Sequence, residues 1–245
     1  MTSSINPKKI TARDLFTGIK KKIEETKEDP VTEIGVNVLK FIITDAKYPL
    51  KNRETGTCAN FRVICLMDKT NAIRILHLKP KIEGFDALEV YRYNIAEDKL
   101  LNISESLDCR LKSTVLDIIS KGVPDPSYCC VDFFATVHGV YNSDNINNLM
   151  GVWNASICHD HFFKPNEGLF YSKWNEENDK IPAVGRGSFH FGFSLGENLS
   201  ISVLGVSGPL AVTTHREISK LYKVNSTWKF QLAETSEDSI IKFNP

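Results

Sequence analysis

A chain of 245 residues, 42% apolar and 24% charged, has the material for one large domain or two small ones around a real core. Thirty basic and thirty acidic residues leave no formal net charge, which argues against a uniform attraction to nucleic acid or anionic membrane. No apolar run reaches the roughly 18–20 residues of a membrane span, and MTSSINPKKI lacks the apolar stretch of a secretion signal. The expected setting is therefore intracellular, with the six cysteines reduced.

In chain order, residues 1–30 read as a basic helix or arm. Thr11 and Asp14 form a loose capping pattern, Leu15, Ile19 and Ile23 repeat every four residues, and Pro30 closes the segment. Residues 1–27 carry seven bases against three acids. Lys8, Lys9, Lys20, Lys21 and Lys22 are thus the candidate electrostatic contact, although a solvated helix face is the simpler reading of short lysine runs. Residues 31–245 read as a β-rich domain. IGVNVLKFIIT is β-branched and predicts a strand, Pro49 to Gly56 a polar connector, and CANFRVICLM, AIRILHLK and ALEVYRYNI three further strands. Leu107, Leu111, Val115, Ile118 and Ile119 mark one face of a helix over about 104–121, capped by Ser104 or Ser106 and ended by Gly122 and Pro124. CCVDFFATVHGVY, apolar on both faces, predicts a buried strand. The polar stretch 142–148 is the one seam at which two subdomains would divide. Beyond it, MGVWNASICHDHF, EGLFYSKW, GSFHFGFSL, NLSISVLGV and TWKFQLA predict strands throughout, with LGENLS as a hairpin turn. The expected fold class is mainly β (α+β): sandwich-like or jelly-roll-like antiparallel sheets, an N-terminal helix and one packed internal helix.

The chemistry is sparse. VGRGSFHFG has neither the Walker nor the dinucleotide spacing, and GVSGP at 205–209 is not the GxSxG elbow of serine hydrolases. His159 and His161 share a strand face and could chelate zinc, but H-x-H without a matching pair reads as structural, so neither metal nor cofactor is expected. Cys158 with His138 or His190 is a conceivable nucleophile pair. Cys158 sits among strand-forming residues, however, not at the helix start that lowers a thiol pKa. No catalytic residue and no small-molecule substrate are expected.

One pattern reaches further. VLKFIITDAKYPL (38–50), Gly56, FRVICLMDK (61–69), VYRYNIAEDKL (90–100) and KGVPDPSYCCVDFFATVHGVYNSDN (121–145) follow the order strand, Pro-bearing turn, strand ending in L-x-D-K, strands, helix, Gly-Pro break. Over residues 35–145 this resembles the core of the thirty-kilodalton superfamily of plant-virus movement proteins. The resemblance makes Asp68 the hallmark aspartate, fixing a turn at a strand end, with Pro49 and Gly122 as structural positions. It implies a non-enzymatic viral protein that carries the genome between cells at plasmodesmata by binding viral RNA or ribonucleoprotein. Thr70 and Asn71 depart from the basic residue the family places after the aspartate. A neutral, β-rich chain with a lysine-bearing arm is also similar to the matrix proteins of negative-strand RNA viruses, which self-associate and coat the nucleocapsid and the inner membrane face. A cellular β-sandwich binding module is the third reading. The expected location is the host cytoplasm, with plasmodesmata, membrane face or nucleus as destinations.

Overall fold

Eleven strands among the described residues form one antiparallel sheet. The computed structural model describes residues 38–68, 73–75, 85–87, 101–102, 106–139, 153–157, 163–173 and 189–232. The expected N-terminal helix with Lys8, Lys9, Lys20, Lys21 and Lys22, the seam at 142–148, and Cys158, His159 and His161 lie outside them. The strands are β1 (Val38–Asn52), β2 (Cys58–Asp68), β3 (Ile73–Ile75), β4 (Phe85–Ala87), β5 (Leu101–Asn102), β6 (Trp153–Ile157), β7 (Gly168–Ser172), β8 (Phe189–Gly196), β9 (Leu199–Val203), β10 (Leu210–Thr214) and β11 (Ser226–Leu232). They run in the order β4-β1-β2-β10-β9-β8-β7-β11-β6, with β5 beside β1 and β3 beside β2. The helices are α1 (Cys109–Lys121), α2 (Cys130–Val137) and α3 (His215–Tyr222). The fold is mainly β with helices packed on the sheet, an open, sandwich-like α+β arrangement.

Several expectations change in detail. β1 does not stop before Pro49: it continues to Asn52, and Pro49 pairs with Asn60. Asn52 then makes the turn, its side-chain oxygen accepting the N–H groups of Glu54 and Thr55. Asp68 ends β2 opposite Val38. The cap of α1 is neither Ser104 nor Ser106. Asp108 takes that place, its carboxylate accepting from the N–H of Arg110 at 2.8 Å and of Leu111 at 3.0 Å. Gly122 closes α1 at φ 83°, a backbone state that favours glycine. The hairpin at LGENLS is present, and Glu197 and Asn198 both take positive φ, the turn whose twist matches the flanking strands.

Two corrections are larger. The expected strand at 129–141 is a helix over Cys130–Val137, and the supposedly all-β last hundred residues contain α3. Cys129 caps α2: its sulfur accepts the Asp132 N–H, and the Asp132 carboxylate accepts the Cys129 N–H at 2.7 Å. This reciprocal pattern satisfies the N–H groups that a helix start otherwise leaves unpaired. Thr214 and Glu217 do the same for α3.

Each face of the β7–β10 sheet has its own lining, because antiparallel partners share a side. Phe170, Phe191, Phe193, Ile201, Val203, Leu210 and Val212 lie on one face. There they meet Leu111, Val115, Phe133 and Phe134 of α1 and α2 in the main core. The Phe134 ring stacks on Phe193 at 4.8 Å and touches the rings of Phe191 and Phe230. Tyr171, His190, Ser194, Ser200, Ser202 and Thr213 occupy the other face, all fully or almost fully buried. α3 packs against β8, β10 and β2.

Candidate functional site

Cys129 and Cys130 stand where the chain enters α2, with the aligned peptide N–H groups of the helix pointing back at them. The Cys130 thiol bonds to Cys129, and this above all lowers the Cys129 pKa. The backbone N–H groups of Asp132 and Val131 add to the effect, while burial and the Asp132 charge oppose it. The same bond, with burial, holds the Cys130 pKa well above its ordinary value. The two thiols therefore act as one unit: the first charge sits on half-buried Cys129, with the Cys130 proton directed at it. Thiolates, not thiols, are nucleophiles, and a helix start is a setting that creates them at neutral pH.

His190 of β8 points away from α2, to the sheet face on which Tyr171 lies. The backbone of Phe191 contacts the Cys130 thiol, and His190 is the residue before it. His190 is fully buried, and burial lowers its pKa to about 3, so the ring is neutral at pH 7. Among the described residues neither ring nitrogen of His190 has a hydrogen-bond partner. Its ring lies flat on Tyr222 of α3, with centroids 4.2 Å apart and planes 16° apart. Burial, above all, pushes the Tyr222 phenol well above its usual range. The Gly205 N–H donates to the Tyr222 hydroxyl at 3.1 Å.

Around this centre the polar face is closely tied. The Tyr171 hydroxyl and His215 Nδ1 share a 2.7 Å hydrogen bond, and burial raises the Tyr171 pKa. The Ser202 and Thr213 hydroxyls are buried without a partner among the described residues. Leaving such groups unbonded costs stability, so their retention here points away from packing alone.

The sequence paired Cys158 with His138 or His190. Cys158 lies outside the described residues, and His138 caps the far end of α2, about 13.5 Å along the helix from Cys129. Burial, then nearby Arg110, lowers the His138 pKa. His190 is described, but its ring meets Tyr222 and not a cysteine among the described residues. The missed signal was Asp132, three residues after Cys129, the spacing of a capping box; cysteine in the capping position hid it. GVSGP does not present a nucleophile either: the Ser207 hydroxyl donates to the Pro126 carbonyl, and its N–H to the Tyr128 carbonyl at 2.8 Å. Among the described residues no cluster of three or more His, Cys, Asp or Glu could hold a metal ion. Asp68 ends β2, Pro49 lies within β1 and Gly122 closes α1. No protein-family model, no curated protein and no solved structure matches the chain.

Proposed function

We propose that this protein is a thiol-dependent acyl hydrolase or acyltransferase, with the Cys129–Cys130 pair as nucleophile. The observation that carries the reading is the cysteine pair at the start of α2, with Cys129 favoured as thiolate by the Cys130 S–H and two helix N–H groups. In the reaction, sulfur attacks an ester, thioester or amide carbonyl and a C–S bond forms. Cys129 attacks as the thiolate, and the Cys130 thiol gives its proton to the departing alcohol, thiol or amine. Water, or a second nucleophile, then cleaves the thioester and restores the thiol.

Iodoacetamide labelling at pH 6.5, read peptide by peptide by mass spectrometry, tests this directly. Exposed Cys109 provides an internal reference. Cys129 or Cys130 should react at least tenfold faster than Cys109, and Cys129→Ser with Cys130→Ser should abolish turnover of p-nitrophenyl and thioester acyl substrates. Labelling no faster than Cys109 rules the reading out.

The movement- or matrix-type reading has its own support. Arg216, Lys220 and Lys223 are exposed on one side of α3. Thr55 and Thr57 donate to the Leu221 carbonyl, at 2.7 and 2.8 Å, and so bring exposed Arg53 to the same end of that helix. Such a stripe suits an anionic polymer or membrane face, alongside Lys8, Lys9, Lys20, Lys21 and Lys22. Arg216→Glu with Lys220→Glu should then abolish salt-sensitive retention of single-stranded RNA or phosphatidylserine vesicles. Unchanged retention would leave these bases as a solvated face.

A further inference from the structure

Acyl transfer needs one sulfur nucleophile, and the start of α2 holds two thiols on successive residues. They are unequal. Cys129 is half-buried and stands before the helix in extended backbone, with φ −134° and ψ −169°. Cys130 is the first residue of α2 and belongs to the main core, only 8% exposed. Its thiol lies within hydrogen-bond reach of the Cys129 sulfur. The backbone around the pair is held. The Cys129 N–H donates to the Asp132 carboxylate at 2.7 Å, the Cys129 carbonyl accepts the Phe133 N–H at 3.0 Å, and the Tyr128 carbonyl accepts the Ser207 N–H at 2.8 Å. A reagent arriving from solvent therefore meets Cys129 first, and the thiol best placed to react next is Cys130.

We propose that the pair is also a dithiol redox site: Cys129 takes up a low-molecular-weight disulfide, and Cys130 resolves the adduct by closing a bond between the two neighbours. The Cys129 thiolate attacks one sulfur of the external disulfide. A mixed disulfide forms, the old S–S bond breaks, and a thiolate departs. That thiolate takes the Cys130 proton and leaves as a thiol. The Cys130 sulfur then attacks Cys129, the mixed disulfide breaks, and the second thiolate leaves and takes a proton from water. The two protein thiols give up two electrons, and one external disulfide is reduced to two thiols. Burial sets the order of events, and the adduct removes the Cys129 charge that helps to hold the proton on Cys130. Successive Cα atoms are about 3.8 Å apart, closer than the roughly 4.4–6.8 Å that disulfides ordinarily span. The closed pair is thus strained, and strained disulfides are the readily reduced ones. Such a bond suits a reversible reaction rather than a staple of the fold.

The inference rests on the reactive Cys129 of the acyl-transfer reading, not on acyl chemistry, and the test separates the two. The full chain is treated with excess glutathione disulfide at pH 7, quenched in acid, cleaved before aspartate and read by mass spectrometry. Cleavage before Asp125 and Asp132 frees peptide 125–131, which holds both cysteines of the pair and no other. In the wild type this peptide should become lighter by two hydrogens, carry no glutathione and regain its first mass in dithiothreitol. The change should run at least tenfold faster than exposed Cys109 gains glutathione. In Cys130→Ser the same peptide should instead keep one glutathione on Cys129. In Cys129→Ser, Cys130 should stay free; glutathione there would make it an independent thiol and overturn the inference. A wild-type peptide that stays unchanged, keeps its glutathione or joins another cysteine also overturns it, while fast iodoacetamide labelling of Cys129 would still leave acyl transfer standing. A closed pair with no turnover of p-nitrophenyl or thioester substrates overturns acyl transfer alone. If neither glutathione disulfide nor iodoacetamide reacts faster at Cys129 than at Cys109, both fail. If Cys130→Ser does not fold, the wild-type peptide decides between closure and a lasting adduct.

Discussion

The two faces of the β7–β10 sheet are built from the same strands and are buried to the same degree, yet they differ in kind. One is a layer of phenylalanine, leucine, isoleucine and valine under α1 and α2. The other presents Tyr171, His190, Ser200, Ser202 and Thr213. Apolar burial stabilises at about 25 cal/mol per Å². A buried hydroxyl or imidazole without a partner costs about 1–3 kcal/mol relative to one that is bonded. The first face therefore explains why the chain folds. The second opposes folding wherever its polar groups lack partners, and such a face is retained for what it does. His190 lies on it.

The largest expected effect belongs to the apolar face. Phe134→Ala removes the ring that stacks on Phe193 and contacts Phe191 and Phe230. A loss of about 3–5 kcal/mol is expected in urea unfolding. A loss below about 1 kcal/mol would mean that α2 does not hold the sheet together.

Next comes acidity on the polar face. Unfolded His190 takes up a proton below its ordinary pKa of 6.5, whereas burial delays this to about 3 in the folded chain. Its contribution is thus complete above pH 6.5 and lost as the pH falls, at about 1.4 kcal/mol per unit, or about 2 kcal/mol by pH 5. Burial of His138 acts in the same direction. Comparing stability at pH 7 and pH 5, His190→Asn should shrink the difference by about 2 kcal/mol. An identical pH dependence in the variant would mean that water reaches the ring.

A smaller effect concerns the helix on that side. Thr214→Ala removes the oxygen that accepts the Glu217 N–H at 3.1 Å, so α3 should lose about 1 kcal/mol in thermal or urea unfolding. If α3 also sets the ring of His190, hydrogen exchange at the Gly205 amide should accelerate in the same variant. The smallest effect is the sharpest contrast between the faces. Ser202→Ala and Thr213→Val remove buried hydroxyls that have no partner among the described residues, and each should leave the melting temperature unchanged or raise it. A drop of several degrees would show that the hydroxyls are bonded and that the polar face contributes to stability after all.

Much of this contrast was written locally. In FHFGFSLG the Phe and Leu positions alternate with His, Gly and Ser, and LSISV alternates Leu, Ile and Val with Ser, so both linings of β8 and β9 could be read from period two. The α1 stripe was legible from period 3.6, and every residue of it is buried. The segment CCVDFFATV was not. A short run that is apolar on all sides satisfies both periods, and cysteine is a poor advertisement of a cap. Thr214 with Glu217 was a visible capping box, but the β-branched run before it, LAVTT, continued the strand pattern into the helix.

The sequence by itself therefore determined which stretches alternate, where α1 runs, where the LGENLS hairpin turns and that no strongly charged surface dominates. These follow from propensity and spacing among residues a few positions apart. Only the tertiary structure decided that Cys130 meets the backbone of Phe191, that Tyr222 stacks on His190, and that the Gly205 N–H holds the Tyr222 hydroxyl. Those contacts link residues 17 to 61 positions apart, and nothing in a local pattern encodes them. They exist because burying the phenylalanine face against α2 leaves one place for the end of that helix, beside the start of β8.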